Sequence, residues 1–292
     1  MSADTSPRLA VLGLGLLGAE IALRLKSQGF TVTGWNRTAA KAEALAEQGI
    51  EPAASAAAAV AAADLTLLLL SDAAAIEASL LDADPVPELA GKCVVQMGTI
   101  GPEESRRLAA RVAERGGDYL EAPVLGSLPE ARSGNLLLMA GGDPALFHRC
   151  EPVFHALCEQ PRHIGELGQA AALKLAMNQL ISGLTATFSL SLGLVRHEGV
   201  DVELFMSLLR GSALYAATFD KKLDKYLSHD YSSPNFPLKH LRKDIALFRS
   251  VAGPAGIDTA PAQALENACE RGMAAGLAEA DYAAIYEALT KV

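Results

Sequence analysis

The short apolar run Leu9-Ala-Val-Leu12 leads directly into Gly13-Leu-Gly15-Leu16-Leu17-Gly18, a G-x-G-x-x-G turn at which an amphipathic segment begins. A second apolar run, Thr31-Val-Thr-Gly-Trp35, follows. That order reads as strand, glycine turn, helix, strand. Gly13 permits the tight turn, Gly15 lets the backbone approach a pyrophosphate, and Gly18 lets the helix pack close to the strand. The first-turn N–H groups of that helix, with Leu16 and Leu17 in the turn, would hold phosphates with the help of the helix dipole. Among 25 glycines such a spacing can arise by chance, so its weight comes from the strand and helix on either side.

The end of the second strand selects the nucleotide. An NAD site usually places Asp or Glu about 20 residues after the glycines, on the ribose 2′-hydroxyl. Here the strand ends in Asn36, Arg37 and Thr38, with no carboxylate. A guanidinium forms charge-assisted bonds to a 2′-phosphate, which a carboxylate would repel. NADP(H) is therefore the expected cofactor, held by these three residues. The plainer alternative makes Arg37 a solvated loop residue and Thr38 a cap for the next helix.

At 292 residues, 50% hydrophobic and 20% charged, the chain has the composition of a folded protein of one large or two ordinary domains. A net charge of −9 without a basic run argues against a nucleic-acid partner. Cys93, Cys150, Cys158 and Cys269 form no C-x-x-C pair and the six histidines are scattered, so neither a metal site nor a disulfide framework is expected. Met1 to Pro7 is polar, without an apolar signal region, and a reduced, cytoplasmic protein is expected. Residues 175–195 carry no charge and could span a bilayer by length. Asn178, Gln179, Ser182, Thr185, Thr187, Ser189 and Ser191 interrupt that stretch, which reads instead as a buried helix, with no membrane partner.

Strand and helix signals alternate through the first half. Helices are expected over 39–48, closed by Gly49, behind Ser55, and from Pro102 to Arg115-Gly116; strands over 65–70, 93–96, 118–124 and 135–140. From Gln169 onward only helical periods remain. The fold class is α/β: a Rossmann-type doubly wound sheet over residues 1–164, then an all-α C-terminal domain over 165–292 linked by a long central helix. The first domain would bind NADP; the second would serve substrate binding and dimerisation, giving a homodimer.

Lys174 and Asn178 stand four apart, on one face of the central helix. In carbonyl reduction the oxygen gains negative charge, so an ammonium can donate the proton while an amide N–H holds the same atom. Taken alone, Lys174 would pass for a lysine that snorkels to water.

With these motifs in order, the chain resembles the β-hydroxyacid dehydrogenase family, the relatives of 3-hydroxyisobutyrate and 6-phosphogluconate dehydrogenases. Gly13 to Gly18 is similar to the family's nucleotide turn, and Glu121-Ala-Pro-Val-Leu125-Gly126-Ser127 to its substrate loop. Residues 169–178, with Lys174 and Asn178, resemble its catalytic G-x-x-x-K-x-x-x-N in altered form, Ala170 standing where glycine is expected. Lys243-Asp244 resembles its late K-D motif. The resemblance implies that Lys174 gives the proton to a carbonyl oxygen and takes it back in oxidation, that Asn178 orients the substrate, and that Gly126 and Ser127 hold its carboxylate. It also implies that Leu70, Ser71 and Thr99 line the cofactor cleft, that Lys243 closes over the cofactor, and that Asp244 supports the substrate site. Leu125 replaces the family's usual serine and removes one carboxylate donor. Asn36-Arg37-Thr38 resembles the NADPH-using branch, which includes glyoxylate and succinic semialdehyde reductases. The implied activity is NADP(H)-dependent interconversion of a small aldehyde or keto acid and its hydroxy acid, on a small-molecule carbonyl substrate. Imine reduction on the same architecture and a non-catalytic NADP-binding module stay open as alternatives.

Overall fold

The computed structural model describes residues 6–290 of the chain. It divides into two compact units, Met1–Lys174 and Leu175–Val292.

In the first unit the elements run β1 (Leu9–Leu12), α1 (Leu16–Ser27), β2 (Val32–Trp35), α2 (Ala40–Glu43), β3 (Glu51–Pro52), α3 (Ala56–Ala62), β4 (Leu65–Leu68) and α4 (Ala73–Ile76). They continue with β5 (Cys93–Gln96), α5 (Pro102–Ala113), β6 (Asp118–Glu121), β7 (Val124–Leu125), α6 (Leu128–Ser133), β8 (Leu137–Gly141), α7 (Pro144–Leu157) and β9 (Arg162–Gly165). One sheet takes them in the order β3-β2-β1-β4-β5-β6-β8-β7, with β9 on β8. Neighbours from β3 to β6 are parallel, whereas β8 runs antiparallel to β6 and β7. Parallel strands are covered on both faces, which is why β1 is apolar throughout and β4 at every position but Thr66. Leu9 and Val11 of β1 pack into one core with α1 and α7, and Ala10 and Leu12 into the other with α3 and α5. The chain winds outward from β1 to β3 and returns to β4 on the other side of β1. This reversal opens a crevice at the carboxyl ends of β1 and β4.

The doubly wound sheet stands as expected, with local differences. The helix expected over 39–48 breaks into α2 and a tight turn at Ala46–Gln48, which ends at left-handed Gly49 with φ 84°. The strand expected to reach residue 70 stops at Leu68 because the chain turns away to let Asp72 cap α4. The strand expected over 118–124 is interrupted at Ala122-Pro123, where proline has no N–H for a ladder, and β7 pairs separately with β8.

The long helix α8 (Gln169–His197) is 29 residues. After it come α9 (Val202–Arg210), α10 (Ala217–Ser228), α11 (Leu238–Ala252), α12 (Ala260–Gly272) and α13 (Ile285–Thr290), with no strand after β9 among the described residues. Among those residues no helix is long and apolar enough to cross a membrane. The hydroxyls of Ser182, Thr185 and Ser189 donate to main-chain carbonyls of α8 itself, so they are buried without needing outside partners. Phe188 of α8 stacks on Phe219 of α10 at 4.6 Å between ring centroids.

Lys222 of α10 and Asp281 are both buried, and Nζ donates to the two carboxylate oxygens at 2.9 and 2.7 Å. Asp281 also accepts from the Asn235 and Ala283 N–H groups, and the ammonium lies 4.5 Å from the centre of the Tyr282 ring. Burial pushes the Lys222 ammonium below its ordinary range, against the pull of Asp281. Removing one partner leaves an uncompensated buried charge. Asp281→Ala should therefore lower the urea-unfolding free energy by about 3–5 kcal/mol. A loss below about 1 kcal/mol, the range of an exposed pair, would contradict this.

Candidate functional site

The glycine turn follows β1 directly. Gly13 has φ 103°, and a Cβ there would strike the Leu69 carbonyl. A Cβ on Gly18 would strike the carbonyl of Gly13, so α1 approaches the turn as closely as backbone allows. Gly15 differs from both: its φ of −72° and ψ of −168° suit any residue, and a Cβ would meet no atom within 4 Å. Nothing inside the protein requires glycine at that position. Ser55, Asp72 and Asp143 cap α3, α4 and α7, whereas α1 has no side-chain cap and no acid in its first turn. Leu16 and Leu17 lie in that turn, Leu16 exposed. An open glycine before uncapped N–H groups fits a dinucleotide's pyrophosphate.

Around the turn stand the carboxyl ends of β2, β4 and β5. Asn36 accepts from the Leu14 N–H at 3.1 Å and donates to the Thr38 carbonyl at 3.2 Å, tying the end of β2 to the glycine turn. Arg37 and Thr38 are exposed, and Arg37 has no hydrogen bond or ion pair to any described residue. Leu70 and Ser71 follow β4, with the Ser71 hydroxyl donating to Asp72. Thr99 follows β5 behind Gln96, whose buried side chain bonds both the N–H and the carbonyl of Gly98.

Glu121 ends β6 and is buried. Its Oε1 accepts the N–H groups of Gly168, Ala170 and Ala171 at 2.9, 2.9 and 3.2 Å, and its Oε2 the Ser105 hydroxyl at 2.5 Å. The carboxylate thereby caps α8. Leu125 is half-buried in β7, Gly126 is exposed at φ 133°, and Ser127 precedes α6. The N–H and the hydroxyl of Ser127 both donate to Glu130 Oε2, at 2.7 and 2.8 Å. Sequence reasoning assigned no role to Glu121 or Glu130. Ser127-x-x-Glu130 is a legible capping pattern, but the main-chain partners of Glu121 lie 47 to 50 residues away.

Lys174 and Asn178 are buried on one face of α8. Within the second unit Asn178 Nδ2 donates to Asp244 Oδ2 at 2.7 Å, and Lys243 Nζ lies 3.1 Å from Asp244 Oδ1. Asp244 is thus committed to Asn178 and Lys243. No cluster of metal-ligating side chains occurs among the described residues.

The open space at Gly15 separates binding from folding. Gly15→Val should leave urea-unfolding stability within about 1 kcal/mol of the unmodified chain, the scale of a lost N-cap glycine, and abolish measurable NADPH binding by calorimetry. Retained NADPH affinity would overturn the placement of the pyrophosphate.

The NAD binding domain of 6-phosphogluconate dehydrogenase matches residues 8–165, and the NAD-binding domain of NADP-dependent 3-hydroxyisobutyrate dehydrogenase matches residues 168–289. Glyoxylate/succinic semialdehyde reductase 1 of Arabidopsis thaliana is 31% identical over 95% of this chain and 96% of its own. The cytokine-like nuclear factor N-PAC of Homo sapiens is 31% identical over 97% of this chain, which spans 52% of that longer protein. The solved structure of Psf3 in complex with NADP+ and 2-OPP has a TM-score of 0.87 at 25% identity, covering 96% of this chain and 99% of its own. On these matches and this geometry, the chain belongs to the β-hydroxyacid dehydrogenase family of NAD(P)-dependent oxidoreductases.

Proposed function

We propose that the chain is an NADP(H)-dependent oxidoreductase interconverting a small aldehyde or keto acid and the corresponding hydroxy acid, with Lys174 as proton donor. The observation that carries the reading is a buried lysine: Lys174 is 9% exposed, on the face of α8 that also bears Asn178. A lysine on a solvated helix face stays mostly exposed. When bound, the nicotinamide supplies the hydride. Lys174 Nζ gives its proton to the oxygen as charge develops there, and is reprotonated from solvent; in oxidation it takes the proton back. Asn178, oriented through its bond to Asp244, holds the substrate. The loop at Leu125, Gly126 and Ser127 faces the substrate's far end, and Leu70, Ser71, Thr99 and Lys243 contact the cofactor. Because the proposed role of Lys174 is at an oxygen, carbonyl substrates are favoured over imines.

A homodimer belongs to the same reading. Leu180, Leu184, Leu190 and Leu194 are exposed along one side of α8, as are Leu204 and Leu208 on α9, and an apolar face of this kind is suited to burial against a second copy.

The unpaired Arg37 supports a preference for NADPH. Its charged hydrogen bonds to the 2′-phosphate are worth about 1.5–3 kcal/mol, or roughly 10- to 150-fold in kcat/KM over NADH. Arg37→Ala should erase most of that ratio, and equal kcat/KM for the two cofactors in the unmodified chain would contradict it. Lys174→Ala should lower kcat for carbonyl reduction by about 10²- to 10⁴-fold and leave the Kd for NADPH nearly unchanged. A variant that keeps near-normal turnover would assign the proton to another group.

A further inference from the structure

The two donors of Ser127 meet one acceptor. Its N–H and hydroxyl reach Glu130 Oε2 at 2.7 and 2.8 Å, and Cβ and Cγ of Glu130 lie 3.2 and 3.6 Å from where a Cβ on Gly126 would stand. One side chain therefore takes both donors of Ser127 and packs beside exposed Gly126, the two residues that would grip a substrate carboxylate. We propose that Glu130 is a specificity-determining residue: its carboxylate occupies the donors of Ser127, so that this loop selects carbonyl substrates whose far end is uncharged. The inference rests on the proposed carbonyl reduction and on this loop facing the substrate.

The same pair forms the capping box of α6, with one bond more than capping requires. A capping glutamate needs only to accept the main-chain N–H of the residue before the helix. Glu130 takes the hydroxyl as well, which is the donor a carboxylate-bearing substrate would need. Such a substrate would have to displace Glu130 from two charge-assisted hydrogen bonds and then stay beside a like charge. Leu125, half-buried next to the loop, offers an apolar surface in place of a further donor. An alkyl end makes contact there at no electrostatic cost.

Butanal and succinic semialdehyde have the same chain length and differ by one carboxylate, so their kcat/KM ratio with NADPH isolates this term. The unmodified chain should favour butanal. Glu130→Gln keeps the side chain's length and its acceptor but removes the charge, and should shift the ratio toward succinic semialdehyde by about tenfold or more, as expected for like charges separated by a few ångströms near a protein surface. A second readout needs no turnover: the NADPH-loaded Glu130→Gln protein should bind butyrate about tenfold more tightly than the unmodified one. An unchanged ratio with unchanged butyrate affinity would overturn the role of Glu130 while leaving carbonyl reduction standing. So would an unmodified chain that favours succinic semialdehyde. Failure of the unmodified chain to reduce either aldehyde would instead overturn the aldehyde reduction on which this inference rests, and the inference with it.

Discussion

A single buried carboxylate joins the strand that leads into the loop at Leu125 to the helix that carries Lys174. Glu121 Oε1 accepts the N–H groups of Gly168, Ala170 and Ala171 at the start of α8, and Oε2 accepts the Ser105 hydroxyl from α5. Each hydrogen bond to an ionised group contributes about 1.5–3 kcal/mol, and together they offset the cost of taking the charge out of water. Gly141 of β8 leaves the room: a Cβ there would stand 2.6 Å from Glu121 Oε1. Lys174 lies about one turn beyond this anchor, so its position along the helix axis is set by β6. The loop holding Leu125, Gly126 and Ser127 leaves that same strand. On the proposed reading, the loop and Lys174 are therefore both positioned from β6.

The nucleotide side of the first unit uses the opposite device. There the helix start is left open, with glycine at its N-cap and no acid in its first turn, although most neighbouring helices are closed by their own side chains. Two helices of similar surroundings thus differ in what satisfies their first N–H groups. α8 has an internal carboxylate, which fixes it; α1 keeps its donors for a phosphate. In a chain of net charge −9, attraction for an anionic cofactor has to be local, and Arg37, proposed to supply it, stands exposed at the end of β2.

Much of this was legible in the sequence where the determinant is local. A continuous apolar run marks a strand covered on both faces, so β1, β4 and β5 were plain from Leu9, Leu65 and Cys93 onward. The shared face of Lys174 and Asn178 follows from their spacing on a helix. Determinants that join distant segments left no local trace. Asn178 and Asp244 are 66 residues apart, and nothing near either announces their bond. Cys93 and Cys150, read as merely far apart, bring their sulfurs to 3.8 Å in the core as free thiols. The helices α6 and α7 were missed between stronger strand signals, although Ser127-x-x-Glu130 and Asp143-Pro144 are both helix-start patterns.

The most direct test of the account is the fate of isotope on turnover. With NADPH deuterated at both C4 positions and butanal as substrate, the account predicts butanol carrying one deuterium on its carbinol carbon, formed with a primary isotope effect on kcat/KM. A chain that binds NADPH tightly yet places no deuterium in the alcohol of any short aldehyde or keto acid would contradict it, and would make this fold a nucleotide-binding module rather than an oxidoreductase.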